Sequence, residues 1–382
     1  MRYYIIAGEA SGDLHGSNLI KQLKVLDQEA VIRSWGGNLM EEAGAELIKH
    51  YRDLAFMGFA EVVKNLPTIF KNIRFCKADI LAFQPDCLIL IDYPGFNLRI
   101  AEWAKQEGLK VIYYISPQVW AWKAGRVRKM KECIDKMLVI LPFEKDYYKV
   151  QWNWEVDYVG HPLLEVIEAK KQELGYGPDT VFPIAGSKKI ALLPGSRKQE
   201  IAKKLPIMLE LAKLFPNQEF VVAEAPGQDA EFYEPFLKPY QNVGSVKNDT
   251  YKLLLESKAA LVTSGTATLE TALLGIPEIV CYKGSNISYQ IAKRLVKIKY
   301  ISLVNLIMDK LVVKELIQDE LNTSNLEKEL NELLHNTTKQ EQIRTDYQAL
   351  QAILSKGGHA SAQAAKLIYQ FLLDQQSPST NF

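Results

Sequence analysis

Cys87-Leu88-Ile89-Leu90-Ile91-Asp92-Tyr93-Pro94-Gly95-Phe96-Asn97 is the stretch that decides the fold. Its five leading residues are all apolar, so a strand made of them must be covered on both faces, as in a parallel sheet sandwiched between helices. The run ends in an aspartate and a proline turn, and the spacing beyond predicts a helix through 100–106. The same order recurs on either side. Tyr3-Tyr4-Ile5-Ile6-Ala7 reads as a strand before a glycine turn, with a helix through Leu19-Ile20-Lys21-Gln22-Leu23. Further strands are predicted over 31–35, 111–115, 137–141 and 156–159. After Pro162 the sequence turns polar and glycine-bearing over 168–189, and a second series starts with Lys189-Ile190-Ala191-Leu192-Leu193, followed by 219–223, 259–263 and 278–282. The alternation predicts an α/β protein of two Rossmann-like domains, 1–175 and 176–355. Beyond Leu321 the chain reads as helical, with Gly357-Gly358 breaking it before a last helix in 356–382; the Ser377-Pro378-Ser379 tail is expected to lack fixed structure.

Composition narrows the class. A chain of 382 residues has room for two cores. Its 46 basic and 45 acidic residues nearly cancel, which gives no overall field for nucleic acid. The four cysteines (Cys76, Cys87, Cys133 and Cys281) form no CxxC and suit buried thiols in a reducing compartment. No segment reads as a signal peptide or a membrane span, so a cytoplasmic location with at most peripheral membrane contact is expected.

In such sheets ligands bind beyond the carboxyl ends of the strands. Two second-half motifs lie there. Pro194-Gly195-Ser196-Arg197 follows a strand; Gly195 allows close backbone approach, and Arg197 offers either a planar fork for phosphate oxygens or a solvated surface charge. Ser264-Gly265-Thr266-Ala267-Thr268-Leu269-Glu270 carries a strand into a helix whose first N–H groups and hydroxyls can hold an anion. Glu270 lies four residues past Thr266, on the same helical face, where it can accept from ribose hydroxyls or merely complement the helix dipole. Jointly the two motifs fit a nucleoside diphosphate. The chain lacks GxxxxGK[ST], its first turn spaces glycines differently from GxGxxG, and no DxD pair is present, so P-loop, dinucleotide and metal-chelated diphosphate sites are disfavoured.

In the first half, Asp92 stands at the end of the most apolar strand, suited to act as a general base or to bond its own turn. The loop from Gly8 to Gly16 offers Glu9, Ser11, Gly12, Asp13 and His15 around a helix start. Asp13 is open to a dipole-complementing role as well, and His161, before Pro162, to a structural one. Large apolar residues from Leu54 to Ala60, continuing through Pro67-Thr68-Ile69-Phe70, point to a greasy substrate or a membrane. So do Trp120 and Trp122 beside Arg126, Arg128, Lys129 and Lys131.

These motifs, with Ser116-Pro117-Gln118-Val119-Trp120-Ala121-Trp122, Leu141-Pro142-Phe143-Glu144, Gly160-His161-Pro162 and Tyr300-Ile301-Ser302-Leu303-Val304-Asn305-Leu306, resemble the lipid-A-disaccharide synthases of Gram-negative bacteria, in the same order from Gly8 to about Leu321. The resemblance implies a GT-B fold, two Rossmann-like domains facing a cleft, with a C-terminal helix returning to the first. It implies transfer of 2,3-diacylglucosamine from UDP to 2,3-diacylglucosamine 1-phosphate (lipid X), giving a β-1,6-linked disaccharide phosphate and UDP. Asp92 corresponds to the family's base, and Asn305 falls in a matching motif. Glu9, Ser11, Gly12, Asp13, His161 and Asn305 are then expected on the acceptor side, and Gly195 to Arg197, Ser264 to Thr268 and Glu270 on the UDP side. The resemblance further implies no cofactor or metal, peripheral attachment to the inner membrane and, as in some members, a homodimer. Many members carry aspartate where this chain has Gly95, so that second carboxylate has no counterpart here. Two other readings are another GT-B enzyme, such as a UDP-N-acetylglucosamine epimerase, and a non-catalytic lipid- or nucleotide-binding protein.

Overall fold

The computed structural model describes residues 1–53, 66–177, 180, 182–184, 186–285, 289 and 298–376. The chain forms two compact units: Met1–Pro162 with the chain from Leu354 onward, and Leu163–Ile353. Each is built on one all-parallel sheet.

In the first unit the strands are β1 (Arg2–Ala7), β2 (Val31–Gly36), β3 (Glu46–His50), β4 (Cys87–Ile91), β5 (Val111–Tyr114), β6 (Lys136–Val139) and β7 (Asp157–Tyr158), in the order β3-β2-β1-β4-β5-β6-β7. Alternate side chains feed two cores, as the period-two geometry of a strand requires. Tyr4, Ile6, Leu88, Leu90 and Tyr113 pack on one face, and Tyr3, Ile5, Ile89, Ile91 and Tyr114 on the other. On the second face the helix Ala10–Leu26 meets the C-terminal helix Ala360–Gln376, where Ala364 and Ala365 permit close packing. The chain returns to the first unit past Gly160, whose φ is +90°; a Cβ there would stand 2.6 Å from the Gly358 carbonyl oxygen. The Tyr158 hydroxyl donates to the Leu354 carbonyl at 3.1 Å.

The second unit orders β8 (Lys189–Leu193), β9 (Glu219–Glu224), β10 (Val243–Lys247), β11 (Ser257–Thr263), β12 (Glu278–Tyr282) and β13 (Lys314–Ile317) as β10-β9-β8-β11-β12-β13. The units divide after Pro162, whereas the sequence places the boundary at 175. The intervening helix Leu163–Glu173 buries Leu163 and Ile167 within the second unit and touches the helix Thr266–Leu273. Strands β3, β10 and β13 were not expected from sequence. They lie at sheet edges, where exposure admits polar residues and blurs the apolar run.

Both sheets reverse their winding once, between β1 and β4 and between β8 and β11, and at each reversal the flanking loops diverge to leave a crevice. The apolar stretch from Leu54 to Ala60 lies outside the described residues; Phe70, on the helix Leu66–Phe83, is 55% exposed. All four cysteines are buried and unpaired. Among the described residues no helix is long and apolar enough to cross a membrane.

Candidate active site

At the β1/β4 reversal the loop after β4 is wound against its own preference. Asp92 and Tyr93 both take positive φ, +44° and +48°. Two successive non-glycine residues there cost on the order of 1–3 kcal/mol each, so surrounding contacts must impose the conformation. The Tyr113 hydroxyl and the Asn97 amide donate to the Asp92 carbonyl at 2.5 and 2.8 Å, and Asp92 N–H donates to the Tyr114 carbonyl at 3.2 Å. Asn97, fully buried, also reaches the carbonyls of Ile91 and Ile6, tying the ends of β4 and β1 together. The Tyr93 ring lies over Gly8, where a Cβ would come within 2.3 Å of it, so the first loop needs glycine at that point.

This clamp leaves the Asp92 carboxyl half-buried. Burial pushes it up to about 6, the charge of Glu9 adds to the rise, and the Tyr93 N–H opposes it. Glu9 is exposed at the N-terminus of the helix Ala10–Leu26, and Ser11 is exposed in its first turn. Gly12 packs against β1, its absent Cβ 3.0 Å from that of Ala7. His15 and His161 are buried side by side. Burial pushes them down to about 4 and about 3, His15 adding to the fall at His161, so both are neutral at physiological pH. Glu144 is buried as well, pushed up to about 8 by burial, and accepts the Leu141 N–H at 2.9 Å in a helix cap.

Asp13 is spent on architecture. Its carboxylate accepts from the backbone N–H groups of Gly37 (2.8 Å), Leu39 (3.2 Å) and Met40 (3.0 Å), organising the loop after β2. Asn305 is likewise committed, and it lies in the second unit. Its amide donates to Val313 and Glu315 at 2.8 and 2.9 Å, and its oxygen accepts from Val312 and Val313 N–H. With both donors and both acceptor sites used, Asn305 has nothing left for a ligand. It holds the loop on which Ile301 accepts the Ser264 hydroxyl at 2.9 Å.

At the β8/β11 reversal a cavity of about 330 Å³ gathers Gly195, Ser196, Ser264, Gly265, Thr266, Ala267 and Glu270. The first amides of the helix Thr266–Leu273 have no intrahelical acceptor, and among the described residues no side chain caps them. The Thr263 hydroxyl, buried on the cavity wall, has no partner among the described residues. Glu270 accepts the Tyr251 hydroxyl at 3.2 Å, and burial pushes its carboxyl up. Gly195 takes φ +119°, backbone that L side chains rarely adopt, and a Cβ there would also push on Glu200 Oε2, 2.9 Å away.

Two expected residues stand apart from this cavity. Thr268 is fully buried and donates to the Gly265 carbonyl at 2.8 Å, so it shapes the turn. The Arg197 side chain is 65% exposed and pairs with Glu200 at 3.2 Å. Sequence reasoning missed Lys204, which is 2% exposed; its ammonium lies 4.0 Å from Glu200 and 3.4 Å from the place a Gly195 Cβ would occupy. A buried cation beneath the glycine turn is the signal, and the amphipathic spacing of the helix Lys198–Leu214 places it there, seven residues past Arg197.

A nucleotide-sized crevice lined by helix amides in one Rossmann-like unit, and a strained carboxylate in another, define a protein of the GT-B class. Solved structures share the fold: the UDP-GlcNAc 2-epimerase of Neisseria meningitidis bound to UDP-GlcNAc (TM-score 0.67, 15% identity, 98% of this chain and 100% of that one) and the glycosyltransferase of kitacinnamycin (TM-score 0.65, 14% identity, 97% and 99%). A family model described as lipid-A-disaccharide synthetase matches residues 3–370. The lipid-A-disaccharide synthase of Trichlorobacter lovleyi is 39% identical over 355 residues, 90% of this chain and 91% of the relative. That of Coxiella burnetii strain CbuG_Q212 is 36% identical over 379 residues, 96% and 98%. The chain belongs to the lipid-A-disaccharide synthase family, and is an enzyme of the glycosyltransferase class.

Proposed function

We propose that the enzyme transfers 2,3-diacylglucosamine from UDP to the 6-hydroxyl of 2,3-diacylglucosamine 1-phosphate, inverting the anomeric carbon. The observation that carries this reading is Asp92, an aspartate pinned in left-handed backbone with its carboxyl raised to about 6. A base of that pKa is ionised at neutral pH yet basic enough to accept a hydroxyl proton as attack proceeds. The acceptor oxygen bonds to the anomeric carbon, its proton passes to Asp92, and the bond from that carbon to the diphosphate breaks with its electron pair left on UDP.

In the second unit the amides at Gly265 to Ala267 and the turn at Gly195-Ser196 receive the diphosphate, stabilising the charge that grows as it departs. Lys204 and Arg197 supply positive potential, with no metal invoked. Glu270 accepts from the ribose. Exposed Trp122, stacked under Lys123 and Arg126, together with Phe70 and Phe75, supports docking at the cytoplasmic face of the inner membrane.

Incubating the protein with UDP-2,3-diacylglucosamine and the acyl acceptor should release UDP and form the β-1,6 disaccharide phosphate, followed by mass spectrometry and the anomeric proton coupling. Conversion of UDP-N-acetylglucosamine to its 2-epimer in place of that product would transfer the assignment to the epimerase chemistry of the structural neighbours.

A further inference from the structure

A second cavity, about 320 Å³ and in the first unit, opens between the helices Pro94–Gln106 and Val127–Cys133. It reaches the lower end of the size range of small-molecule sites. Arg99, Arg126 and Lys129 line it with a single carboxylate, Glu102, which pairs with Lys129 at 3.3 Å. Three cations against one anion leave an excess of two positive charges. Neither guanidinium has a carboxylate partner among the described residues; Arg126 only touches the Trp122 ring, 6.0 Å from its centroid. Gathering like charges gives the folded chain nothing in itself, whereas two unengaged planar forks match the oxygens of a phosphate monoester. Pro94 and Gly95, two and three residues past Asp92, also line it, and among the described residues no atom lies within 4 Å of where a Gly95 Cβ would be.

We propose that this cavity binds the anomeric phosphate of the acceptor, with Arg99 and Arg126 as its ligands and Lys129 in support. The inference rests on the transferase reading and adds to it the basis of acceptor choice. The acceptor's 6-hydroxyl and 1-phosphate lie one sugar ring apart. A base at Asp92 and an anion subsite just beyond the following turn therefore suit the two ends of one molecule. The donor diphosphate has its own crevice in the other unit, so the two phosphate sites are chemically separate.

Steady-state kinetics in micelles of an uncharged detergent test it, using the acceptor with and without its phosphate. Arg99→Ala and Arg126→Ala should each raise KM for the phosphorylated acceptor on the order of tenfold, the loss of one charge-assisted hydrogen bond. The donor KM, kcat and the KM of the dephosphorylated acceptor should stay put, and Arg99→Lys should recover part of the loss. Glu102→Gln should lower the acceptor KM, a gain that misfolding cannot imitate. Unchanged acceptor KM in all variants overturns the proposal. So does unchanged acceptor KM with lost binding to phosphatidylglycerol vesicles but not to phosphatidylcholine vesicles, which would make the cavity a headgroup site. Equilibrium dialysis with glucosamine 1-phosphate needs no turnover: weaker retention by Arg99→Ala supports the subsite even if the transferase reading fails, and equal retention counts against the subsite alone.

Discussion

The crevices at the β1/β4 and β8/β11 reversals arise from the same topology and differ in chemistry. The first collects carboxylates: Glu9 and Asp92 sit close enough that one raises the pKa of the other. The second is lined by carboxylates too, Glu200, Glu224 and Glu270, but sets donors beside them: helix amides, the Thr263 hydroxyl and, beneath Gly195, the buried ammonium of Lys204. Strand order thus decides where a ligand can sit, and the few residues after each strand decide what it can be.

That division is most exposed at Asp92. Asp92→Asn keeps the shape and removes the base, so kcat should fall by about 10²–10⁴-fold while UDP affinity, measured by calorimetry, stays the same. A parallel loss of UDP affinity would erase the contrast between the crevices. Glu270→Ala should behave in the opposite way, weakening UDP binding by on the order of tenfold or more, the range for a hydrogen bond to a charged group. A normal UDP affinity would leave Glu270 as a partner of Tyr251 only. Asn305→Ala sharpens the line between holding a loop and holding a ligand. It strands the buried amides of Val312 and Val313 and removes one of several donors to Glu315, so urea unfolding should report a loss of about 1–3 kcal/mol. Full stability with a raised KM would return Asn305 to the ligand.

Much of this was legible before any coordinates. Continuous apolar runs at β1, β4, β8 and β11 had to be buried central strands, and the residues ending them had to be at the crevices. Edge strands such as β10, Val-Gly-Ser-Val-Lys, bury only one flank and carry no such signature. The roles of Asp13 and Asn305 were hidden for another reason. A side chain that binds substrate and one that binds backbone look alike in a motif, and only its hydrogen-bond partners separate them. Lys204 escaped because a lysine in an amphipathic helix reads as solvated; its burial depends on the turn at Gly195 lying over it.

The finest test concerns how the first crevice sets the base. Asp92 works as a carboxylate, so kcat/KM should be level above about pH 6 and fall as the pH drops below it. Burial is the larger cause of the raised pKa and Glu9 the smaller. Glu9→Gln removes a like charge that disfavours the ionised form, so the Asp92 pKa must fall and the acidic limb must move to lower pH. The shift should stay below about one unit, because the larger, desolvation part is untouched. The variant should then retain a greater share of its plateau rate than the parent near about pH 5, with the two profiles level at neutral pH. An acidic limb that stays in place would separate Glu9 from the base, and one that moves upward would mean that Glu9 favours the ionised form of Asp92 through a contact other than simple repulsion.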